Sequence, residues 1–493
     1  MAELSTSTNA KPAGLVSGLS LFDATTLVMG SMIGSGIFIV AADVSRQLPS
    51  PGLFFLSWII SALLTVIAAV SYGELAGMMP KAGGQYVYLR EAFGPLFGFL
   101  YGWTLFLVIQ TGTLAAVGVA FAKFLGVFAP WVSTKTVLID LGTFSVFGHA
   151  TTFTVSSAQF VAIAVVVFLS IVNVFGLSVG AGVQNVFTVL KTAALLGIVL
   201  LGAAWAFRHP VPASSAQGFW QGAHWDLATL TLLAVALVGP LFSSDAWNNV
   251  TFTGSEVINP KRNLPLALFI GTSTVCAIYV ACNWAYYRVL PYYGAAYGGP
   301  LQQGMPHAAE DRVATAAMQV MLGGHGAGLM AAAIMIATFG CINGMVLAGA
   351  RVYYAMADDG LFFARVGKVH PRYHTPAASL VVQAVWASML TLTGTYSELL
   401  DYVIFAVVFF YILTIAGIFR LRRTRPAAPR PYRAWGYPVL PALYIAFATF
   451  IELALLTHKP LRSIAGLSIV AVGIPVYYVW RKRGSQAATR ISL

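Results

Sequence analysis

The chain has 493 residues, 58% hydrophobic and only 9% charged, with a mean hydropathy of +0.79. Soluble domains carry about 25% charged residues, so this composition excludes a soluble fold and makes a bilayer the solvent for most of the surface. The net charge of +12 does not point to nucleic acid, because the basic residues sit between apolar stretches, as in the inner loops of membrane proteins.

The chain opens on a polar segment, Met1 to Gly18, whose only basic residue is Lys11. It lacks the ordered cationic flank, apolar core and cleavage site of a signal peptide, so residues 1–20 read as a tail and the first apolar segment as a retained span. Apolar length then predicts twelve transmembrane helices, near 23–46, 53–78, 96–127, 156–176, 182–206, 227–252, 265–290, 313–340, 376–394, 398–419, 437–457 and 463–480. The eighth keeps a helical pattern as far as Met356. The expected fold class is an all-α integral membrane protein of 12 transmembrane helices, with a basic linker at 423–436, two additional spans within 437–482 and a tail at 483–493.

Orientation follows from lysine and arginine. With the N-terminus in the cytoplasm, the inner segments hold the clusters Lys261–Arg262, Arg420–Arg433 and Arg481–Arg483. The outer segments keep scattered residues such as Arg46, Lys135 and Arg312. The inner set is more than twice the outer, so both termini are expected inside. The linker RLRRTRPAAPRPYR reads as solvated and able to meet anionic lipid. The cysteines, Cys276, Cys282 and Cys341, lie within apolar stretches and suggest no disulfide framework.

Two spans look broken. The first contains GSMIGSGIF, Gly30 to Phe38; the sixth contains GPLFSSDAWNNVTF, Gly239 to Phe252. In lipid each free backbone polar group costs several kcal/mol, so polar breaks persist only where they face protein or a watery cavity. Paired breaks five spans apart are the sequence pointer to an inverted-repeat transporter. Gly34, Ser35 and Gly36 would free N–H groups at the start of a half-helix, suited to a carboxylate. Gly30 and Gly34 also fit the spacing of close helix packing. Phe242 and Trp247 flank the second break and could cover a bound side chain. Asp245 would meet an ammonium or cap the second half-helix. Asn248 suits hydrogen bonding in the same site. Lys191 lies in the fifth span, where position alone favours a side chain reaching back to the interface. The segment Tyr72 to Pro95 reads as a turn followed by an amphipathic interfacial stretch, with Glu74 pairing a loop cation.

Some patterns carry no chemistry. GLSVG, Gly176 to Gly180, matches a nucleophile elbow but has no strand before it. His370 and His374 in HPRYH are separated by Pro371 in a loop, which argues against a helical metal pair. No histidine falls clearly inside a span, which disfavours a membrane-embedded enzyme. No catalytic residue, metal or cofactor is expected.

These segments resemble the amino acid–polyamine–organocation superfamily, and within it the L-type amino acid transporters and their bacterial homologues. The resemblance is carried by GSMIGSGIF, by YGELAGMMPKAGGQYVYLREAFGP (Tyr72–Pro95), by Lys191, by FSSDAWNNVTFTGSEVINPKRNLPLAL (Phe242–Leu268) and by RVYYAMADDGLFFARVGKVHPRYHTPAAS (Arg351–Ser379). It implies a five-plus-five inverted repeat within 21–422, with repeats of about 21–206 and 227–422, broken helices 1 and 6, and two extra helices. It implies that Ile33, Gly34, Ser35 and Gly36 hold a substrate carboxylate. Phe242 would gate the site, Ser243, Ser244 and Asp245 would receive the ammonium, and Asn248 would line it. Lys191 matches the lysine that stands in place of a sodium ion, and this outweighs what position alone favours. Ser244 and Ala246 depart from an aromatic and a glycine in the family pattern, which bears on selectivity. Residues 128–155 lack the cysteine by which animal relatives bond a heavy subunit, so no disulfide-linked partner is expected. The resulting expectation is a sodium-independent exchanger of neutral L-amino acids in a cell (inner) membrane, its partners being the amino acid and membrane lipid. A proton-coupled permease and a cationic amino acid or polyamine antiporter are the alternatives.

Overall fold

The computed structural model describes residues 14–491 apart from 147–148, 213–217 and 394–395. Lys11 and the rest of residues 1–13 in the expected tail lie outside the described residues. The helices in chain order are α1 (Leu21–Met32), α2 (Gly36–Gln47), α3 (Pro51–Met78), α4 (Gln85–Phe93), α5 (Pro95–Thr104) and, after a π-helical turn at Leu105–Ile109, α6 (Gln110–Leu125). A two-stranded antiparallel hairpin follows, β1 (Val137–Val146) and β2 (His149–Ser156). Then come α7 (Ser157–Val174), α8 (Leu177–Arg208), α9 (Leu227–Ala236), α10 (Val238–Ser243), α11 (Asn249–Phe252) and α12 (Pro260–Val289). The chain ends with α13 (Pro300–Gln303), α14 (Val313–Leu322), α15 (Gly324–Asp358), α16 (Ala377–Thr393), α17 (Tyr396–Thr424), α18 (Val439–His458) and α19 (Pro460–Ile491).

Local chemistry sets several of these boundaries. Ser20 and Asp23 form a capping box at the start of α1, and Ser156 and Gln159 form another at α7. At α3, Ser50 accepts from the Leu53 N–H and Pro51 fills the first helical position, where a missing N–H costs nothing.

Among the described residues, nine helices are long and apolar enough to cross a membrane, and ten when α1 and α2, bent by 40°, are taken as one span. Leu227–Ser243 and Ala377–Leu392 are shorter apolar helices at the expected sixth and ninth positions.

The structure departs from the expected elements in several places. The expected eighth span starts too early: Gly323, at φ +66°, separates α14 from α15, so the long helix runs from Gly324 to Asp358. The all-α expectation misses the β1–β2 hairpin, whose signal is the Thr-, Phe- and Val-rich run HATTFTVS. The segment after α3 does not lie on the surface of the bundle. Its helix α4 is inserted into the bundle, with Gln85, Tyr86, Val87, Tyr88 and Leu89 all buried. The basic linker is not simply solvated either. Arg422 and Arg430 both pair with Glu74 of α3, and the Ala434 N–H donates to the same carboxylate at 2.8 Å. Finally, α19 continues through the expected tail to Ile491.

The packing has the correspondence that a five-span offset requires. α3 lies on α12, α6 on α15, and α7 on α16. α1 packs against α8 and α12 as α10 packs against α17 and α3. α6 contacts α7, α16 and α17 as α15 contacts α16, α7 and α8. α18 and α19 pack outside this set, mainly on α17, α9 and α5.

One buried ion pair joins the chain start, the end of the sixth span and α15. Arg351 donates from Nε to Glu256 Oε2 at 2.7 Å and from Nη2 to Oε1 at 2.9 Å, and from Nη1 to the Leu347 carbonyl at 2.5 Å. Arg351 is 1% exposed and Glu256 0%. The Glu256 carbonyl accepts from the Gly18 and Leu19 N–H groups, which pins the segment before α1. Removing one partner of a buried pair leaves an uncompensated charge and costs about 3–5 kcal/mol. Arg351→Met is therefore expected to lower the thermal stability of the purified protein sharply, and Glu256→Met in the same chain to restore much of it. Unchanged melting of the single variant would remove the pair from this role.

Candidate functional site

The first break is short. α1 ends at Met32 and α2 begins at Gly36, leaving Ile33, Gly34 and Ser35 unwound. A helix end leaves four carbonyls without intrahelical partners, and neighbouring elements supply partners for these. The Met29 carbonyl keeps an ordinary i→i−4 partner, the Ile33 N–H at 3.0 Å, and the groups around it are met from outside. Lys191 of α8 donates to Gly30 O at 2.5 Å and Ile33 O at 2.8 Å. The thiol of Cys341 on α15 faces Ser31 O at 3.1 Å, and the hydroxyl of Tyr279 on α12 donates to Met32 O at 3.0 Å. A lysine ammonium has three donors; the third points to Ala337 O at 3.4 Å. Lys191 is 0% exposed, so its side chain turns inward and does not reach back to the interface.

Close packing and polar placement coexist here. A Cβ at Gly30 would fall 1.7 Å from Gln184 Nε2, and one at Gly34 would meet Cys341 Sγ at 3.2 Å. Gln184 belongs to a buried network in which Asn343 donates to Gln184 Oε1 and to Gly180 O, each at 3.0 Å. Asn173 donates to Asn343 Oδ1 at 2.8 Å. Glycines 30 and 34 are thus small because side chains from α8 and α15 press on the first span.

The second break spans Ser244 to Asn248, between α10 and α11. Ala246 sits at φ +65°, in the left-handed region that disfavours residues with a Cβ. That geometry explains why glycine suits this position in the resembling pattern. Asp245 does not cap α11; its carboxylate accepts from the Tyr411 hydroxyl of α17 at 2.6 Å. Asn248 donates to Gln85 of α4 at 2.8 Å, and Gln85 donates to Thr414 of α17 at 3.0 Å. Trp247 is packed behind the break, edge-on to Tyr72 at 4.8 Å between centroids and tilted against Tyr411 at 5.1 Å. It is 2% exposed, a wall residue held by aromatic neighbours. Phe242 remains half-buried.

The two breaks meet. A Cβ on Gly36 would lie 2.5 Å from Ser243 Oγ and 2.9 Å from Ser243 Cα, so the start of α2 and the end of α10 are in direct contact. Beside the second break is a cavity of about 20 Å³, lined by Asp245 and Asn248 with Gln85, Tyr101, Gln110 and Met345. A second, also of about 20 Å³, lies against Ser244 and Trp247 with Thr65 and Tyr444. Each has room for about one water. The structure thus brings Gly36 and Ser243 together and places Lys191 on the first break. It puts Asn248 at one small cavity, Ser244 and Trp247 at the other, and Asp245 at both. Nothing in the sequence marked Tyr279, Cys341, Gln85 and Tyr411 as partners of the breaks. A tyrosine or cysteine in an apolar span carries no local mark of which carbonyl or carboxylate it will meet.

Two interrupted spans meeting inside a bundle of long apolar helices, with a buried ammonium on the unwound backbone, define a multi-pass membrane carrier. The chain belongs to the amino acid permease family, whose sequence profile matches residues 19–476. It is 28% identical to the serine/threonine exchanger SteT of Bacillus subtilis over 472 residues, covering 95% of this chain and 98% of that one. It is 27% identical to the human large neutral amino acids transporter small subunit 2 over 470 residues, 94% of this chain and 80% of the relative. It is 26% identical to the mouse b(0,+)-type amino acid transporter 1 over 501 residues, 99% of this chain and 93% of the relative. The family and these relatives are transporters rather than enzymes.

Gly36→Leu and Ser35→Leu are expected to leave the protein folded in the membrane but to abolish the rise in melting temperature that a binding amino acid produces. At position 36 the leucine would force the start of α2 off Ser243, where even a Cβ falls 2.9 Å from Ser243 Cα. A thermal shift with amino acid equal to that of the parent would refute a site at this contact.

Proposed function

We propose that this protein is a sodium-independent, alternating-access exchanger of neutral L-amino acids. The observation that carries the reading is Lys191, whose buried ammonium lies on the Gly30 and Ile33 carbonyls. Unwound carbonyls at such a break are where transporters of this architecture coordinate a coupling cation. A fixed ammonium supplies that positive charge permanently and removes the need for sodium. The similarity to a serine/threonine exchanger and to a large neutral amino acids transporter subunit supports exchange and a neutral substrate.

In this reading the backbone N–H groups at Ile33 to Gly36 receive the substrate carboxylate, helped by the positive end of α2. Carbonyls of Ser243, Ser244 and Asp245 take the ammonium, Phe242 closes the site, and Asn248 hydrogen-bonds within it. The contact between Gly36 and Ser243 must open to admit an amino acid, because the adjoining cavity holds only about one water. Asp245 favours a second reading, in which cationic amino acids are also carried, since its carboxylate lines that cavity. The distribution of lysine and arginine supports a cell-membrane location with both termini cytoplasmic. The absence of cysteine from residues 128–155 supports function without a disulfide-linked heavy subunit.

Counter-flow in proteoliposomes tests the function. Preloaded unlabelled serine, threonine or leucine is expected to drive accumulation of the labelled amino acid, unchanged when choline replaces sodium. Lys191→Ala should reduce the rate at least tenfold, because an uncompensated polar break is left inside the bundle. Sodium-dependent accumulation by the parent, or full activity in Lys191→Ala, would overturn the assignment.

A further inference from the structure

A crevice of about 620 Å³, none of whose lining residues belongs to either break, lies where α3, α12 and the segment between α17 and α18 come together. Its walls are Val70 of α3, Pro265, Leu266 and Phe269 of α12, and Tyr432 and Trp435 of the connecting segment. Lys261 and Arg262 stand at one end. These α12 positions follow helical spacing, so one face carries charge at the loop end, then Pro265 and Leu266, then Phe269 a turn further into the span. The crevice is therefore amphiphilic along its length.

Its walls are fixed. Tyr432 is wedged against the glycine face of α3, where a Cβ at Gly73 would meet its ring at 3.0 Å. The segment is anchored beside it by Glu74, through Arg430 and the Ala434 N–H, while Arg422 at the end of α17 holds the same carboxylate. Among the described residues, neither Lys261 nor Arg262 forms an ion pair, and both are exposed. Trp435 is 76% exposed and Phe269 50%. Two large aromatic rings exposed beside two unpaired cations fit the boundary between headgroups and acyl chains, where tryptophan is enriched. Water alone would satisfy the cations and not the rings; hydrocarbon alone would satisfy the rings and not the cations. An amphiphile with a negative head satisfies both, and basic pockets between spans bind anionic headgroups for this reason.

We propose that this crevice is a binding site for an anionic phospholipid. Lys261 and Arg262 hold its phosphate, Trp435 lies at headgroup level, and an acyl chain runs along Leu266, Phe269 and Val70. The site adjoins the transport core, because α12 also packs on α1 and carries the Tyr279 hydroxyl that caps Met32 O.

Native mass spectrometry of the full-length protein, offered phosphatidylglycerol and phosphatidylcholine in equal amounts, tests the proposal. The parent is expected to retain phosphatidylglycerol preferentially, and the variant Lys261→Gln/Arg262→Gln to lose that retention about tenfold. The control Lys368→Gln/Arg372→Gln, which removes two exposed cations elsewhere, should match the parent. Soluble glycerol phosphate should not displace the lipid at matched concentration. Equal retention of the two lipids, retention of phosphatidylglycerol by the double variant, or displacement by glycerol phosphate would each overturn the assignment. If the double variant does not purify, brominated phosphatidylglycerol in vesicles decides with folded protein. Trp435→Phe should remove part of the tryptophan quenching seen with brominated phosphatidylglycerol but not with brominated phosphatidylcholine, and identical quenching in parent and variant would refute the site.

Discussion

The unwound backbone of the first span is the constraint around which the core is arranged. A helix that stops inside an apolar bundle exposes carbonyls that lipid cannot satisfy. Three other helices supply the partners: Lys191 from α8, Tyr279 from α12 and Cys341 from α15. Each side chain fixes the position of its own helix relative to the break. The same three helices press on Gly30 and Gly34 or lie beside them, which leaves little freedom for α1 except as part of a moving unit. A buried ammonium is costly without acceptors and the carbonyls are costly without donors, so the two stabilise one another.

The second break is held differently. Its polar side chains look outward to α4 and α17, through Asn248 to Gln85 and Asp245 to Tyr411. Trp247 is held by edge-on contact with Tyr72 and a tilted contact with Tyr411. Between the two breaks the connection is steric, a glycine against a serine, with no side chain of Gly36 to interlock. At the far end the Glu256–Arg351 pair ties the segment before α1, the end of the sixth span and α15 together. Both this ion pair and the contact between the breaks are formed in the structure.

Much of this was legible in the chain. GSMIGSGIF and the run around Asp245 are polar where lipid tolerates only helix, so the breaks could be located from the solvent argument alone. Glu74 had to find a cation, and the basic linker supplied two. Other features were misplaced for identifiable reasons. Helix α4 has the mixed aromatic and polar content of an interfacial segment, and composition cannot say that its Gln85 will bridge Asn248 and Thr414. Apolar residues continue across 313–340, so hydropathy could not see that Gly323 would take a left-handed conformation and divide the run. The hairpin at Val137–Ser156 was hidden by the helical content around it.

The sequence by itself determined the solvent, the approximate spans and the two places where helix gives way. These are properties of local apolarity and backbone satisfaction, which depend on residue type and not on partners. Position along the chain did not decide the fate of Lys191; the family resemblance placed it at the first break, and the tertiary structure shows how. On position alone the lysine could reach the interface as readily as the core, since its chain is flexible and either end provides oxygen. Packing of α8 against α1 and α15 settles the matter, because it buries the side chain beside carbonyls whose helix has ended. The same holds for Asp245, Tyr279 and Cys341. Their chemistry was visible in one dimension, but a hydrogen bond is made at about 3 Å, and which groups come that close is fixed by helices distant in sequence.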